Sequence, residues 1–433
     1  MKTARRPLAA ALLTLACSPL FAQSIQDGLS NTLVVREQLV AQPRPINTAP
    51  TDPDAPPASG ITNLSTRGSL TGNITQTLRG ESPADQSVSV AGAKGRTRAN
   101  NADLNGGISA NVIQTNNNAS SITQRVGAGS LVDSAVGAAK TVGEVDGAGI
   151  TQTNNGSSSG SGANVQRVEV GSINGTQARN VNARGNLSGE VVQFRGTPGA
   201  GVQSLDVGAV NNVDGGGNVS ARGTVSGSVS QIANRQVEQR IDVGSVNGGL
   251  PAEARVNGTV LGPVSQRADG GGGTSVQTVS VGSANNSAGN IQTDATTAGT
   301  ISQLQGAGTN IEQRIKVGSV DGSRTQAITE VVNSGDIIQT TNNASDARQD
   351  VSIGSAENTG AVVTTRAEVT GSIGQFAGNS SNIRQSVNLG SVRNTEGGFA
   401  NTNVTVTGNV LQNAINANGG DQRVLVGGVE GKR

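Results

Sequence analysis

Ten copies of one pattern run from about residue 70 to the end of this 433-residue chain. Each copy has a first glutamine, a step of eight to fourteen residues, a second glutamine, two aliphatic positions and, in nine copies, a glycine. Successive second glutamines lie 36 to 38 residues apart, with one step of 42. A fixed period of this length indicates a repeat architecture, in which each unit buries its apolar face only against its neighbours.

The first glutamine of each copy belongs to an alternating segment. A β-branched aliphatic residue precedes it by two positions in all ten copies, as Val229 and Ile373 do, and Gly or Ala stands two positions earlier, as in Gly227 and Gly371. This alternation predicts a strand with one buried face, and the glutamine has the parity of the buried residues. The first glutamines are Gln76, Gln114, Gln152, Gln193, Gln231, Gln266, Gln303, Gln339, Gln375 and Gln412.

The second glutamine begins another alternating segment. Aliphatic or small residues follow it at two and four positions, as Ile241 and Val243 follow Gln239, and the residue directly after it is polar in every copy. The glycine that comes next, such as Gly244, predicts a bend or bulge. Pro263 falls within a predicted first strand and indicates a local irregularity there. The second glutamines are Gln86, Gln124, Gln166, Gln203, Gln239, Gln277, Gln313, Gln349, Gln385 and Gln422.

An inward-facing amide needs a hydrogen-bonding partner, because an unpaired buried amide costs roughly 1–3 kcal/mol. If equivalent residues stack in register, each glutamine can bond the glutamine above and below it, as in cross-β ladders. The sequence therefore predicts an all-β fold, a β-solenoid of ten strand–turn–strand–loop repeats of about 36–38 residues stacked in parallel register. Ten rungs at about 4.8 Å each would give a rod about 48 Å long.

Composition excludes most chemistry. The chain has no His, Trp or Tyr, and one Cys and one Met, so the usual zinc, haem and iron–sulfur ligand sets are missing. Histidine-dependent nucleophiles are missing as well, and no acidic pair recurs in the repeats. We therefore expect no enzyme activity, catalytic residue, cofactor, metal or small-molecule substrate. The scattered charges and the lack of stacking aromatic residues predict no nucleic-acid partner.

The N-terminal region differs from the repeats. Residues 1–22 are typical of a secretory signal peptide, with basic Lys2, Arg5 and Arg6 before an apolar stretch, and subtracting these three charges from the net charge of +1 leaves about −2. Cys17 lies in a lipobox-like Leu-Ala-Cys context, which leaves lipidation open. Residues 23–42 form an N-terminal arm, residues 43–60 a proline-rich linker, and residues 61–433 the solenoid.

The repeat resembles that of the curlins, the major subunits of secreted functional amyloids. The closest match is Gln114-Thr115-Asn116-Asn117-Asn118-Ala119, which continues to Gln124, and residues 339–349 are similar. This repeat is longer than a curlin unit and lacks its aromatic residues. The resemblance implies a secreted, cell-surface-associated fibre subunit of a bacterial matrix, with an outer-membrane export pore and a nucleator subunit as partners.

These observations favour a structural or adhesive fibre protein that self-associates by templated end-to-end stacking, since no C-terminal capping repeat is evident. One alternative is a monomeric cell-surface solenoid that binds a ligand through its outward face, which carries Arg125, Glu169, Asp242, Lys316 and Asp350 at related positions. We expect those charges to face solvent. A second alternative is an outer-membrane β-barrel of about twenty strands, which the lack of aromatic girdles opposes.

Overall fold

The computed structural model describes residues 61–431 except 81–83, 96–97, 119–120, 148, 157–163, 197–199, 214–216, 236, 250, 270–272, 288, 324, 361 and 396–397. All of these described residues belong to one compact unit, Ala58–Arg433. The predicted signal peptide, N-terminal arm and proline-rich linker lie outside the described residues.

The described residues form four parallel ten-stranded sheets and no helix, which confirms the predicted all-β parallel solenoid. Each turn of the solenoid contributes one strand to each sheet. We number these turns coil 1 to coil 10 in chain order, so that nine stacking steps connect them, and each sheet takes its strands in that order. Among the described residues, every sheet has one edge strand in coil 1 and the other in coil 10.

Sheets 1 and 2 take the first two strands of each coil. Sheet 1 consists of β1 Ile61–Leu70, β5 Arg98–Ile108, β9 Ala135–Val145, β13 Asn180–Leu187, β17 Asn218–Val225, β21 Glu253–Val260, β25 Asn290–Thr297, β29 Gln326–Asn333, β33 Val362–Val369 and β37 Phe399–Val406. Sheet 2 consists of β2 Ile74–Arg79, β6 Val112–Asn117, β10 Gly149–Asn155, β14 Glu190–Arg195, β18 Val229–Ala233, β22 Val264–Ala268, β26 Ile301–Gln305, β30 Ile337–Asn342, β34 Ile373–Gly378 and β38 Val410–Ile415.

Sheets 3 and 4 take the last two strands. Sheet 3 consists of β3 Ala84–Val90, β7 Ile122–Ala128, β11 Asn164–Val170, β15 Gly201–Val207, β19 Glu238–Val243, β23 Ser275–Val281, β27 Gly308–Val317, β31 Ala344–Ile353, β35 Ser381–Leu389 and β39 Asn418–Val426. Sheet 4 consists of β4 Ala93–Lys94, β8 Leu131–Val132, β12 Ile173–Asn174, β16 Val210–Asn211, β20 Val246–Asn247, β24 Ala284–Asn285, β28 Val320–Asp321, β32 Ala356–Glu357, β36 Val392–Thr395 and β40 Val429–Gly431.

The predicted unit of two strands and a loop is incomplete. Sheets 2 and 3 are the two predicted strands, but the segment expected to be a loop contains the strands of sheets 4 and 1. The strand of sheet 2 also begins later than predicted, because Gly227 lies in the bend before β18. An added Cβ at Gly227 would lie 1.9 Å from the carbonyl oxygen of Gly189 in the preceding coil. The residue is therefore small because the bends of the two coils stack closely.

The irregularity expected at Pro263 is also absent from its described surroundings. Pro263 directly precedes β22, so the sheet loses no hydrogen bond through the missing N–H of the proline. Its carbonyl accepts a hydrogen bond from the Val229 amide at 2.9 Å. The register between β18 and β22 is continuous from Val229 to Ala233.

Each coil encloses two apolar cores. The larger core lies between sheet 2, sheet 3 and the C-terminal ends of the sheet 1 strands. In coil 5 its members are Val225, Val229, Ile241 and Val243. The smaller one lies between the beginnings of the sheet 1 strands and sheet 4. Between the two cores, the residue that follows each sheet 3 strand, glycine in coils 2 to 10 and Ala91 in coil 1, packs directly on sheet 1. This packing closes the coil without any aromatic side chain.

Candidate functional site

The glutamines occupy the interior between sheets 2 and 3. First glutamines lie in sheet 2 and second glutamines in sheet 3, with each column in continuous register from coil 1 to coil 10. All first and second glutamines of coils 2 to 9 are buried. At the ends, Gln86 is buried, Gln76 and Gln412 are half-buried, and Gln422 is exposed.

Both columns form uninterrupted hydrogen-bonded ladders. In sheet 2, the Nε2 of each first glutamine of coils 2 to 10 donates to the Oε1 of the first glutamine one coil earlier, at 2.7–2.9 Å. In sheet 3, the same bond recurs at 2.6–2.9 Å. Each ladder therefore has nine bonds, one for each stacking step. In-register stacking supplies the partners that buried amides require.

The second N–H of the amides crosses the core to the facing sheet. Gln114 Nε2 donates to the carbonyls of Gln86 at 3.0 Å and Arg125 at 3.2 Å, and Gln203 Nε2 donates to that of Gln193 at 3.0 Å. These bonds tie sheet 2 to sheet 3 at each level. They also fix the amide orientation, because exchanging nitrogen and oxygen would place Oε1 against a backbone carbonyl oxygen.

The ladders consequently have a direction. Every ladder Nε2 donates toward coil 1, so the Nε2 atoms of Gln76 and Gln86 face the coil 1 end, where the described residues offer no further glutamine to receive a bond. The Oε1 atoms of Gln412 and Gln422 face the coil 10 end, where the described residues offer no further glutamine to donate to them. The two ends of the solenoid are therefore chemically complementary.

Coil 10 leaves its inward apolar residues open to solvent. Val424, Val426 and Val429 are 46%, 49% and 53% exposed. Their neighbours in coil 9, which they pair with in register, are fully buried: Val387, Leu389 and Val392. The exposure results from position alone, because the same columns are covered wherever another coil follows. At the opposite end, Ile74 and Val90 are half-buried, whereas Leu70 and Val88 are buried.

A column of carboxylates is the main feature that the sequence pattern did not predict. Glu169, Asp206 and Asp242 each stand three residues past a second glutamine and stack in adjacent coils. We expected Glu169 and Asp242 to face solvent, and this expectation is wrong because sheet 4 covers that part of sheet 3. The sequence contains a signal for this column, because all three carboxylates have the same offset from a second glutamine. It contains no such signal for the sheet that covers them, because the strands β12 and β16 have only two residues each.

Neighbouring amides and guanidinium groups hold these carboxylates. Asn174 Nδ2 donates to Glu169 Oε1 and Asn211 Nδ2 donates to Asp206 Oδ1, both at 2.9 Å, and Arg240 Nε donates to Asp242. Burial raises the pKa of Glu169, which Arg125 and Arg167 oppose. Burial, together with Asp242, raises the pKa of Asp206 to about 7. Asp242 in turn raises the pKa of Arg240.

Sheet 4 carries a third amide ladder beside the carboxylates. Asn211, Asn247 and Asn285 each donate from Nδ2 to the Oδ1 of the preceding coil's asparagine, at 2.6–2.8 Å.

Arg195 is a further unpredicted buried group in sheet 2, where burial lowers the guanidinium pKa to about 10. In the described part of the chain, no cluster of three metal-ligating His, Cys, Asp or Glu residues occurs. Nor does that part contain a helix with the length and apolar character needed to cross a membrane.

None of the protein families, curated proteins or solved structures compared with this chain matches it. The likeness to curlins therefore rests on the residue pattern quoted above, and the geometry of the ladders and of the two ends carries the functional conclusion.

Proposed function

We propose that this chain is the subunit of an extracellular fibre that grows by stacking solenoids end to end. The observation that supports this most directly is the pair of nine-bond glutamine ladders, which run the length of the solenoid and reach both of its ends. The predicted signal peptide supports export to the cell exterior. The protein acts in this proposal as a structural or adhesive element and performs no chemical reaction.

The free energy for growth comes from the end coils. Each end presents four sheet edges, and unpaired strand edges template the addition of another chain. At the coil 10 end, stacking would also remove the half-exposed valines of sheets 3 and 4 from water, at about 25 cal/mol per Å² of apolar surface. Growth would therefore repeat, between molecules, the contacts that already hold coils 2 to 9 together.

The outward charges fit a fibre that stays single. Asp103 and Lys140 pair across neighbouring coils at 3.7 Å, and Glu330 and Arg366 pair at 3.6 Å, with exposed side chains of both signs. Exposed pairs of this kind contribute little to stability. They keep the lateral surface solvated, so that association is confined to the two ends.

Electron microscopy and fibre diffraction of the purified chain, lacking residues 1–22, test this proposal. We expect unbranched fibres with a reflection near 4.8 Å along the fibre axis, the spacing of hydrogen-bonded strands. Preformed fibre fragments should abolish any lag in assembly. A chain that remains a monodisperse monomer at high concentration, with and without fragments, would contradict the proposal.

A second candidate is ligand binding by a single solenoid, and one surface feature favours it. Sheet 1 carries a shallow groove of about 760 Å³ across coils 1 to 6, lined by residues that include Asn101, Asp103, Lys140, Asn180 and Arg255. Its length suits an extended polar polymer. The groove begins in coil 1 but runs along the side of sheet 1, so such binding is compatible with end-to-end stacking.

A further inference from the structure

We propose that these chains join head to tail in one register, with coil 10 of one molecule stacked on coil 1 of the next. In this junction, Gln412 lies over Gln76 and Gln422 lies over Gln86, so that both ladders continue between molecules. The proposal rests on the proposed fibre function and adds to it the polarity of the fibre, the register and the contact residues.

Ladder direction is the first reason. A head-to-tail junction brings the Oε1 atoms of Gln412 and Gln422 against the Nε2 atoms of Gln76 and Gln86, which repeats the geometry of the nine internal steps. Joining two coil 10 ends would place acceptor against acceptor, and joining two coil 1 ends would place donor against donor. Either symmetric junction would also reverse the strand direction and stop growth at a dimer.

The apolar columns are the second reason. Following the register through the molecule places Val406 in the column of Leu70, Val410 in that of Ile74, Val424 in that of Val88, and Val426 in that of Val90. All eight residues are aliphatic. The junction therefore covers the exposed Val424 and Val426 with aliphatic side chains, as happens at every internal step of these two columns.

Charge is the third reason. Lys94 of coil 1 and Glu430 of coil 10 occupy one column of sheet 4, so the junction brings opposite charges together. Asp85 and Asp421 share a column of sheet 3 and carry like charges, but both side chains are exposed to solvent. Salt screens exposed charges, so the buried amide and valine contacts decide the register.

Disulfide cross-linking tests polarity and register together. The variant Lys94→Cys with Glu430→Cys is prepared in the same chain lacking residues 1–22, which has no other cysteine, assembled under reducing conditions and then oxidised. Paired residues on adjacent parallel strands lie about 5 Å apart, which suits a disulfide. Within one molecule, the two positions are nine steps, or about 43 Å, apart, so every bond formed must join two molecules.

We expect the double variant to give a series of covalent dimers, trimers and larger species on a denaturing gel, and each single variant to remain monomeric. A second pair on the outward face of sheet 1, Arg67→Cys with Asn403→Cys, should give the same series. The mismatched pair Lys94→Cys with Asn403→Cys is the control and should give none, because the two positions lie in different sheets.

Covalent dimers from Lys94→Cys alone or Glu430→Cys alone would show a symmetric junction and overturn the proposal. Fibres of both matched pairs that fail to cross-link would overturn the register. If the unmodified chain forms no fibres, the proposed function fails together with this inference, so the two failures are distinguished by electron microscopy of that chain.

Discussion

At the scale of single residues, one backbone conformation sets the cross-section of the solenoid. The residue that follows each sheet 3 strand has a positive φ of 51° to 60° in all ten coils, and it is glycine in all but the first, where Ala91 adopts it. In sheet 1 the facing column contains glycine from Gly68 to Gly258, followed by Ala295, Val331, Ala367 and Val404. Backbone thus packs on backbone in coils 1 to 6, and on side chains in coils 7 to 10.

This change along the column predicts unequal costs for one substitution. Gly244→Ala and Gly354→Ala share the left-handed strain of about 1–2 kcal/mol. The new Cβ at Gly244 would lie 1.9 Å from the backbone oxygen of Asn257, whereas at Gly354 the nearest atom is the Ala367 Cβ at 3.0 Å. We expect Gly244→Ala to lower the free energy of unfolding by about 1–3 kcal/mol more than Gly354→Ala, in urea titrations followed by circular dichroism. Equal shifts would contradict this account of the corner.

Asp206 predicts a dependence of stability on pH. Its pKa rises to about 7 in the folded chain because it is buried beside Asp242, whereas an unfolded aspartate has a pKa near 3.8. The folded chain then holds the proton more tightly, so the free energy of unfolding falls as pH rises from about 4 to about 7, by up to about 4 kcal/mol. Above pH 7 this contribution is constant.

Asp206→Asn should remove that fall and retain the oxygen that accepts from Asn211. The measurement is the urea midpoint of both proteins between pH 4 and pH 8. Parallel curves for the two proteins would assign the pH dependence to other groups.

At the scale of strands, the sequence predicted sheets 2 and 3 because their inward positions alternate aliphatic residues with glutamine. Sheets 1 and 4 lack this signal. The β5 strand reads Arg-Ala-Asn-Asn-Ala-Asp-Leu-Asn-Gly-Gly-Ile, so Ala and Gly hold many of its buried positions, and β12 and β16 have two residues each. Such segments form strands because the neighbouring coils offer them in-register partners, which a single repeat does not reveal. The predicted solvent exposure of Glu169 and Asp242 is wrong for the same reason, since the sheet that buries them was not predicted.

Removing one amide from a ladder should destabilise the chain more than changing its outward neighbour. Gln277 accepts from Gln313 and donates to Gln239, each at 2.8 Å, and it also bonds the carbonyl of Leu304. Gln277→Leu leaves these buried groups unpaired, which we expect to cost about 2–4 kcal/mol. Thr278→Leu is the matched control in the same strand and should shift the urea midpoint little. Equal midpoints for the two variants would show that the ladder contributes no stability.

At the scale of the whole molecule, stability is the sum of similar steps. Every strand pairs only with the strands of the preceding and following coils, and no sheet order departs from sequence order. Repeat arrays of this kind behave as chains of nearest-neighbour contacts. The number of coils can then vary. The register between neighbouring coils cannot, because a shift would place each ladder glutamine beside a different residue type and break both ladders.

Deletion of one complete coil should therefore be tolerated. Asn290 pairs with Gln326 in register, so removing residues 290–325 joins Gly289 to Gln326 and stacks coil 8 directly on coil 6. Gln339 would then bond Gln266, and Gln349 would bond Gln277, so both ladders stay continuous with one step fewer. We expect a folded chain with an unchanged circular dichroism spectrum per residue, and fibres with the same 4.8 Å reflection.

Removing only residues 290–307 is the control. The remaining part of coil 7 cannot close and the sheet 2 ladder loses Gln303, so the chain should lose cooperative unfolding. If the full-coil deletion is as disruptive as the partial one, the coils do not stack as interchangeable units.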